Sequence, residues 1–219
     1  SDEVTNTLNP QINPEFAQIN IPNYFFAYNC NTDDYRAGIV LQCGSYVTNN
    51  CNVVIHCIED ELPVLKSRND TLNARRLLGE ALLLRASAGF YNNLYIGRQY
   101  HASTRTMPAG LYRRRAILTF NDIPEPRKTV DQVHRFMIDD LKRAQQLLPE
   151  SYDKTLYPAA YQYRCKRDVA TAMLAKVYFQ KNEFDSALLY INQLLGNETG
   201  LSTNYPLQSG SQYEQLFRI

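Results

Sequence analysis

Four aspartates and three histidines are the residues through which this chain could attack or protonate a bond. Asp33–Asp34 and Asp139–Asp140 supply two carboxylate pairs, the groups a glycosidase uses as proton donor and as base or nucleophile. Asp33 and Asp34 follow Asn29, Asn31 and Thr32 in a polar patch that reads as a loop or helix cap. Asp139 and Asp140 fall on a helix that must pack, so ion pairing and solvent exposure account for all four better than catalysis does. The histidines His56, His101 and His134 are far apart in sequence, and the chain has no H-E-x-x-H, no G-x-S-x-G and no glycine-rich phosphate loop. Cys30, Cys43, Cys51, Cys57 and Cys165 follow no metal spacing, and their odd number cannot all pair internally. The sequence therefore argues against an enzyme, and nothing in it calls for a metal or a cofactor.

Binding is better served. The chain holds 16 Tyr and 9 Phe but no Trp, and tyrosine offers an apolar face together with a hydroxyl. Most aromatics fall on helix stripes, where packing explains them. Tyr28, Tyr35, Tyr100 and His101 flank polar loops instead and are the candidate ligand contacts. With 23 Lys and Arg against 22 Asp and Glu the net charge is +1, so there is no broad field for a nucleic-acid backbone. Arg113, Arg114 and Arg115 form one short cluster that reads as a solvated loop.

These residues need a scaffold, and its central piece is the stretch from Leu72 to Tyr95. Leu77, Ala81, Leu84, Ala88, Tyr91 and Tyr95 recur at steps of four and three, one stripe of an α-helix. Leu78, Leu82, Arg85 and Gly89 make a second row beside it, so the helix is apolar around most of its girth and should be covered on several sides. Arg85 is the exception. A buried arginine must find a carboxylate or a carbonyl, since an uncompensated charge costs about 3–5 kcal/mol. Asp139 or Asp140 is the expected partner.

Before that helix, residues 1–23 carry Pro10, Pro14 and Pro22 among polar residues and read as an extended lead-in to one domain spanning 24–219. Tyr46, Val47, Val53, Val54 and Ile58 support a helix between Ser45 and Leu62 that stops before Pro63, although β-branched residues also tolerate a strand. After the central helix a long connection, Gly97 to Lys128, carries Tyr100, His101, Arg105, Tyr112 and Asn121; connections of this length inside a domain are often functional. Thr129 and Gln132 have capping-box spacing ahead of the stripe Val130, Val133, Met137, Leu141, Ala144 and Leu148, which Pro149 ends. A tyrosine-rich connection covers 151–166. Asp168 is expected to cap the next helix, with Leu174, Ala175 and Tyr178 facing a partner. Asn182 then takes the left-handed conformation that turns the chain into a return helix bearing Phe184, Ala187, Leu188, Ile191 and Leu194.

The hairpin Val169 to Leu195 has tetratricopeptide-like spacing, with small residues at 175 and 187 where two helices approach. Leu84, Ala88 and Tyr91 match Thr171, Ala175 and Tyr178. Met137, Leu141, Ala144 and Pro149 repeat the second half. The fold class is all-α: tetratricopeptide-repeat-like helical hairpins with long loops inserted between them, and ligand contacts belong in the insertions.

Four pieces in this order, NNCNVVIHCIED, NARRLLGEALLLRASAGFYNNLYIG, GLYRRRAILTFNDIPEPRKTVDQVHRFMIDDLKRAQQLLPE and RDVATAMLAKVYFQKNEFDSALLYINQLL, resemble the SusD/RagB family of outer-membrane nutrient-binding lipoproteins. They cover most of residues 45–195, and NYPLQSGSQYEQLF resembles the family's next segment. The resemblance implies a surface-exposed lipoprotein of the cell outer membrane, held by an N-terminal lipid anchor absent from this chain. It implies a non-catalytic protein that captures glycans or other nutrients beside a TonB-dependent outer-membrane transporter, and a chain that corresponds to the N-terminal portion of such a protein. The family's glycan contacts form an aromatic arc rich in Trp, so no binding residue carries over position by position to a chain without one. The alternative reading is an intracellular helical-repeat adaptor that grips peptides or protein partners in a concave groove.

Overall fold

A computed structural model of the chain describes residues 35–205, apart from 120, 123–125, 154, 156, 159, 160, 162, 197–201 and 203. The expected lead-in, residues 1–23, lies outside the described residues. Contacts divide the chain into two units, Ser1–Ile39 and Val40–Ile219. Among the described residues every regular element is helical, and none of the helices is long and apolar enough to cross a membrane.

The α-helices among the described residues are α1 (Tyr35–Glu61), α2 (Arg68–Tyr95), α3 (Val130–Leu147), α4 (Arg167–Gln180) and α5 (Phe184–Leu195). A 3-10 turn, Leu62–Val64, follows α1 where Pro63 cannot continue it. Helix α2 packs on α3, α3 on α4 and α4 on α5, so the stack follows chain order. The strand option for Val47, Val53, Val54 and Ile58 is lost because Cys51, Asn52 and Ile55 recur at helical spacing on the covered side of α1. That helix also starts ten residues before Ser45, its earlier turns having too little apolar periodicity to announce it.

Local signals place the helix ends. Ser67 accepts the amide of Asp70 at the start of α2. Thr129 and Gln132 form the full capping box of α3: the Thr129 hydroxyl accepts the Gln132 amide at 3.3 Å, and the Gln132 side chain accepts the Thr129 amide at 2.9 Å. Two orphan donors are thereby satisfied. The α3 stripe is fully covered, with Val133, Met137, Leu141 and Ala144 at 0% exposure. Asn182 takes φ 61° between α4 and α5, and Gly196 takes φ 78° after α5, the left-handed closure that favours these two residue types.

Of the two apolar rows of α2, the second is covered, and of the first only Ala81 is buried. Leu78, Leu82, Leu83, Arg85, Ala86, Gly89 and Phe90 are buried, whereas Leu77, Leu84, Tyr91 and Tyr95 are exposed, Tyr95 by 69%. Both rows are apolar and both have helical period, so periodicity alone could not rank them. Gly89 decides it, because α2 and the connection after it approach at that residue. A similar correction holds for α5, where Ala187 is buried while Phe184, Leu188, Leu189 and Ile191 stay exposed. Asp168 does not cap α4. Arg167 donates its amide to the Pro149 carbonyl at 2.9 Å, which starts the helix one residue early with Lys166 at the cap position. Asp168 sits in the first turn, where a negative charge still favours the helix dipole, and it accepts the Tyr205 hydroxyl.

Candidate binding cleft

The long connection after α2 is fastened to the helices by side chains buried beneath it. Arg85 donates from Nε to Asp140 Oδ2 and from Nη2 to Asp140 Oδ1, both at 2.7 Å, and from Nη1 to Asn52 Oδ1 at 2.8 Å. Tyr112, from the connection, donates its hydroxyl to Asp140 Oδ2 at 2.6 Å. Asn52 spends its amide hydrogens on the Arg113 and Arg115 carbonyls, and Asn49 both donates to and accepts from the Ile117 backbone. The expected partner of Arg85 is thus Asp140, at 0% exposure, and Asp139 faces solvent.

Burial opposes the charge on Arg85, but the hydrogen bond and charge of Asp140 outweigh it and raise the guanidinium above its ordinary value. Burial, followed by the Asp140 charge, pushes the Tyr112 hydroxyl well above the usual phenol range. Burial likewise lifts the adjacent Cys51 thiol to about 11, which leaves it unreactive as a nucleophile. This cluster is a structural anchor in which each of the three Arg85 guanidinium nitrogens has a partner. The arginine run is correspondingly less solvated than its composition suggested: Arg113 and Arg114 are half-buried, and Arg114 lies over the Phe136 ring at 5.1 Å.

A second fastening shapes the open site. Asn93, near the end of α2, donates to the Gly89 carbonyl and accepts the Gly110 amide, each at 2.8 Å. With the connection held there, the ends of α2 and α4 and the first turns of α3 border a cleft of about 450 Å³, within the range of small-molecule sites. Leu94, Arg98, Gln99 and Tyr100 come from α2 and the residues after it, His134 from α3, and Phe179, Gln180 and Asn182 from the end of α4 and its turn. Leu94 and Phe179 are 48% and 62% exposed.

Tyr100 is fixed in this cleft. Its hydroxyl donates to Asp131 Oδ1 at 3.0 Å, its carbonyl accepts from Asn182 Nδ2 at 3.3 Å, and Lys181 Nζ lies 5.6 Å over its ring. Burial and then the Asp131 hydrogen bond raise its pKa, keeping the hydroxyl protonated. Its ring meets that of His134 edge to face at 5.0 Å. His134 is 3% exposed, its Nδ1 lies 2.8 Å from the Val130 carbonyl, and its Nε2 is shut off from solvent with the Gln180 side chain as its neighbour. A ring that donates from Nδ1 is an acceptor at Nε2. Burial depresses the His134 pKa below its ordinary value, which favours that neutral form.

Of the four candidate contacts, Tyr100 lines the cleft. His101 is exposed beside it, bonded to Ser103 in a turn and outside the lining. Tyr35 opens α1, and Tyr28 lies outside the described residues. Phe179, Gln180 and His134 were not singled out from sequence, because each occupies an ordinary helical position and only the docking of α4 beside the end of α2 brings them together. Asn182 was legible as a turn residue but not as part of a site. Among the described residues no group of His, Cys, Asp and Glu could hold a metal ion.

The sequence from residue 5 to 179 matches the SusD-like family described as starch-binding and associating with the outer membrane. No curated protein matches it. Solved structures with the same fold include a SusD-like carbohydrate-binding protein from Bacteroides vulgatus, at 20% identity over 81% of this chain and 34% of that one, TM-score 0.63. A SusD superfamily protein from Bacteroides thetaiotaomicron aligns at 21% identity over 79% of this chain and 34% of that one, TM-score 0.63. A laminarin-binding SusD-like protein aligns at 20% identity over 72% of this chain and 30% of that one, TM-score 0.51. The chain spans about a third of the length of these structures. With a family match over most of its length and the all-helical fold of those structures, the chain belongs to the SusD-like family.

Proposed function

We propose that this protein is a non-catalytic nutrient-binding protein of the outer-membrane surface that captures glycans for import by a partner TonB-dependent transporter. The observation that carries this reading is membership of a family described as starch-binding and associating with the outer membrane. The laminarin-binding protein of the same fold supports glycans as the ligand class. The cleft around Tyr100 is compatible with it, being lined by aromatic, aliphatic and amide side chains with no carboxylate pair. On this reading the lead-in of residues 1–23 tethers the helical domain to a lipid anchor, and the transporter is the membrane partner.

Titration calorimetry of the full-length protein against starch, laminarin and other soluble glycans, with peptides as the contrasting class, tests the reading. Heat on glycan addition, with the glycan recovered at its original length, is the expected result. Sustained shortening of the glycan would replace capture with hydrolysis, and binding of peptides alone would favour the adaptor reading. Co-purification of a TonB-dependent transporter from native membranes tests the partner.

A further inference from the structure

Most arginines of this protein lie beside a carboxylate: Arg76, Arg85, Arg135, Arg143 and Arg167 each have one within ion-pair distance. Arg98 and Arg127 have none among the described residues, yet they border the same hollow of about 340 Å³, with Ile96 and Pro108 as its apolar walls. A guanidinium keeps its charge at any ordinary pH, so two of them at one hollow make a positive site that no lining residue offsets. Their surroundings add to it. The connection from Gly97 to Lys128 carries 7 Arg and Lys against 2 Asp and Glu, in a chain whose net charge is +1. Both side chains are exposed, so a solute reaches them.

The backbone around them is held in place. The Ala109 amide donates to the Lys128 carbonyl at 2.9 Å and the Val130 amide to the Met107 carbonyl at 3.0 Å, which stitches residues 107–109 to 128–130. Arg127 is pinned within that stitch. Its Nε donates to the Ala109 carbonyl at 2.9 Å, and one Nη2 hydrogen goes to the same oxygen. Both hydrogens of Nη1 and one of Nη2 remain unspent, the pair of parallel donors that suits two oxygens of one anion. Arg98 follows the end of α2, where the Asn92 and Asn93 carbonyls already accept the Ile96 and Gly97 amides and so do not claim its guanidinium. Arg98 also lines the cleft around Tyr100, which makes the hollow its neighbour.

Resting on the glycan-capture reading, we propose that this hollow is a seat for an oxyanion carried by a sugar, a uronate carboxylate or a sulfate ester. The anion's oxygens accept from the free Nη hydrogens of Arg127 and from the guanidinium of Arg98. The sugar carbons next to the anion pack against Ile96 and Pro108. The captured glycan is then an acidic one, and its charge, not its ring alone, decides where it lodges.

The test is a nuclear magnetic resonance titration of the ¹⁵N-labelled full-length protein with glucuronate, glucose 6-sulfate, glucose and inorganic sulfate. The two acidic sugars should move the guanidinium signals of Arg98 and Arg127 along one saturation curve, while glucose leaves them still. Either acidic sugar as the tighter one supports the seat and names its anion. Added salt should weaken both, since exposed charges are screened. Arg98→Gln should weaken the tighter acidic sugar by about fivefold, the scale of one exposed ion pair. Arg98 makes no ion pair within the described protein, so its thermal unfolding should barely move; Arg127→Gln, which also loses the Ala109 contact, should weaken the acidic sugar at least as much. Inorganic sulfate binding as tightly as the sulfated sugar would reduce the site to one for a free anion and overturn the seat. If calorimetry shows the protein binding a neutral glycan while acidic sugars leave the two arginines unmoved, or while Arg98→Gln binds acidic sugars as tightly as the parent, the seat falls and glycan capture stands. If no glycan, neutral or acidic, binds the parent, the capture reading falls and the seat with it.

Discussion

Arg85 and Asp140 meet through two parallel hydrogen bonds of 2.7 Å across 55 residues of sequence, with side-chain exposures of 2% and 0%. The geometry is the bidentate fork that suits guanidinium to carboxylate. Because Asn52 and Tyr112 complete the shell, the pair ties α1, α2, α3 and the long connection to one point. Removing one member strands the other. Asp140→Ala should therefore lower stability by about 3–5 kcal/mol, and Arg85→Ala by a similar amount, measured by urea unfolding. A double replacement by apolar residues of matching volume should recover much of the loss; a double variant as unstable as either single one would show that the pair does more than satisfy itself.

The two apolar rows of α2 make opposite predictions. Leu82 is fully buried and Leu84 is 49% exposed, although they stand two residues apart. Leu82→Ala should cost about 2–5 kcal/mol through lost burial and the cavity left behind. Leu84→Ala should fall within about 0.5 kcal/mol of the parent, as substitutions away from packed sites do. Denaturant midpoints of the two variants decide which row faces the core.

Gly89 is where the connection touches α2. A Cβ built there would stand 2.2 Å from the Tyr112 ring, and that ring cannot yield without breaking its hydrogen bond to Asp140. Gly89→Ala should destabilise by about 1–3 kcal/mol through overpacking, despite alanine's better helix propensity. It should also expose the connection, which limited proteolysis within residues 97–128 would report.

His134 makes stability depend on pH. Its pKa is depressed in the folded protein by burial, whereas an unfolded histidine titrates near about 6.5. Above that value neither state is protonated and the difference vanishes. As pH falls below it the unfolded chain takes up a proton first, so stability declines until the folded-state pKa is passed. His134→Gln should flatten this part of the stability profile between pH 7 and 5, read by thermal unfolding; an unchanged slope would assign the dependence to other groups.

The capping box of α3 gives the smallest effect. Thr129→Ala removes the acceptor of the Gln132 amide and should cost about 1 kcal/mol. Its hydrogen-exchange signature should stay within the first turn of α3, while the cleft next to it keeps its shape.

The sequence by itself determined that these segments are helical, most of their end signals and the family, though not the start of α1 or the cap of α4. Capping, the Asn182 turn and the stripe of α3 are local properties: each depends on residues within a few positions of one another, so spacing alone reveals them. The need of Arg85 for a carboxylate was legible for a different reason, since a charge on an apolar helix face has few physical outcomes. Tertiary structure decided what spacing could not rank: which row of α2 is covered, which aspartate pairs with Arg85, and that Arg113 and Arg114 fold inward. It alone assembled the cleft, because Tyr100, His134 and Gln180 come from three elements and become neighbours only when the ends of α2 and α4 dock against the start of α3. Local patterns carry the energetics of single elements; a site depends on distances between elements, which no periodicity encodes.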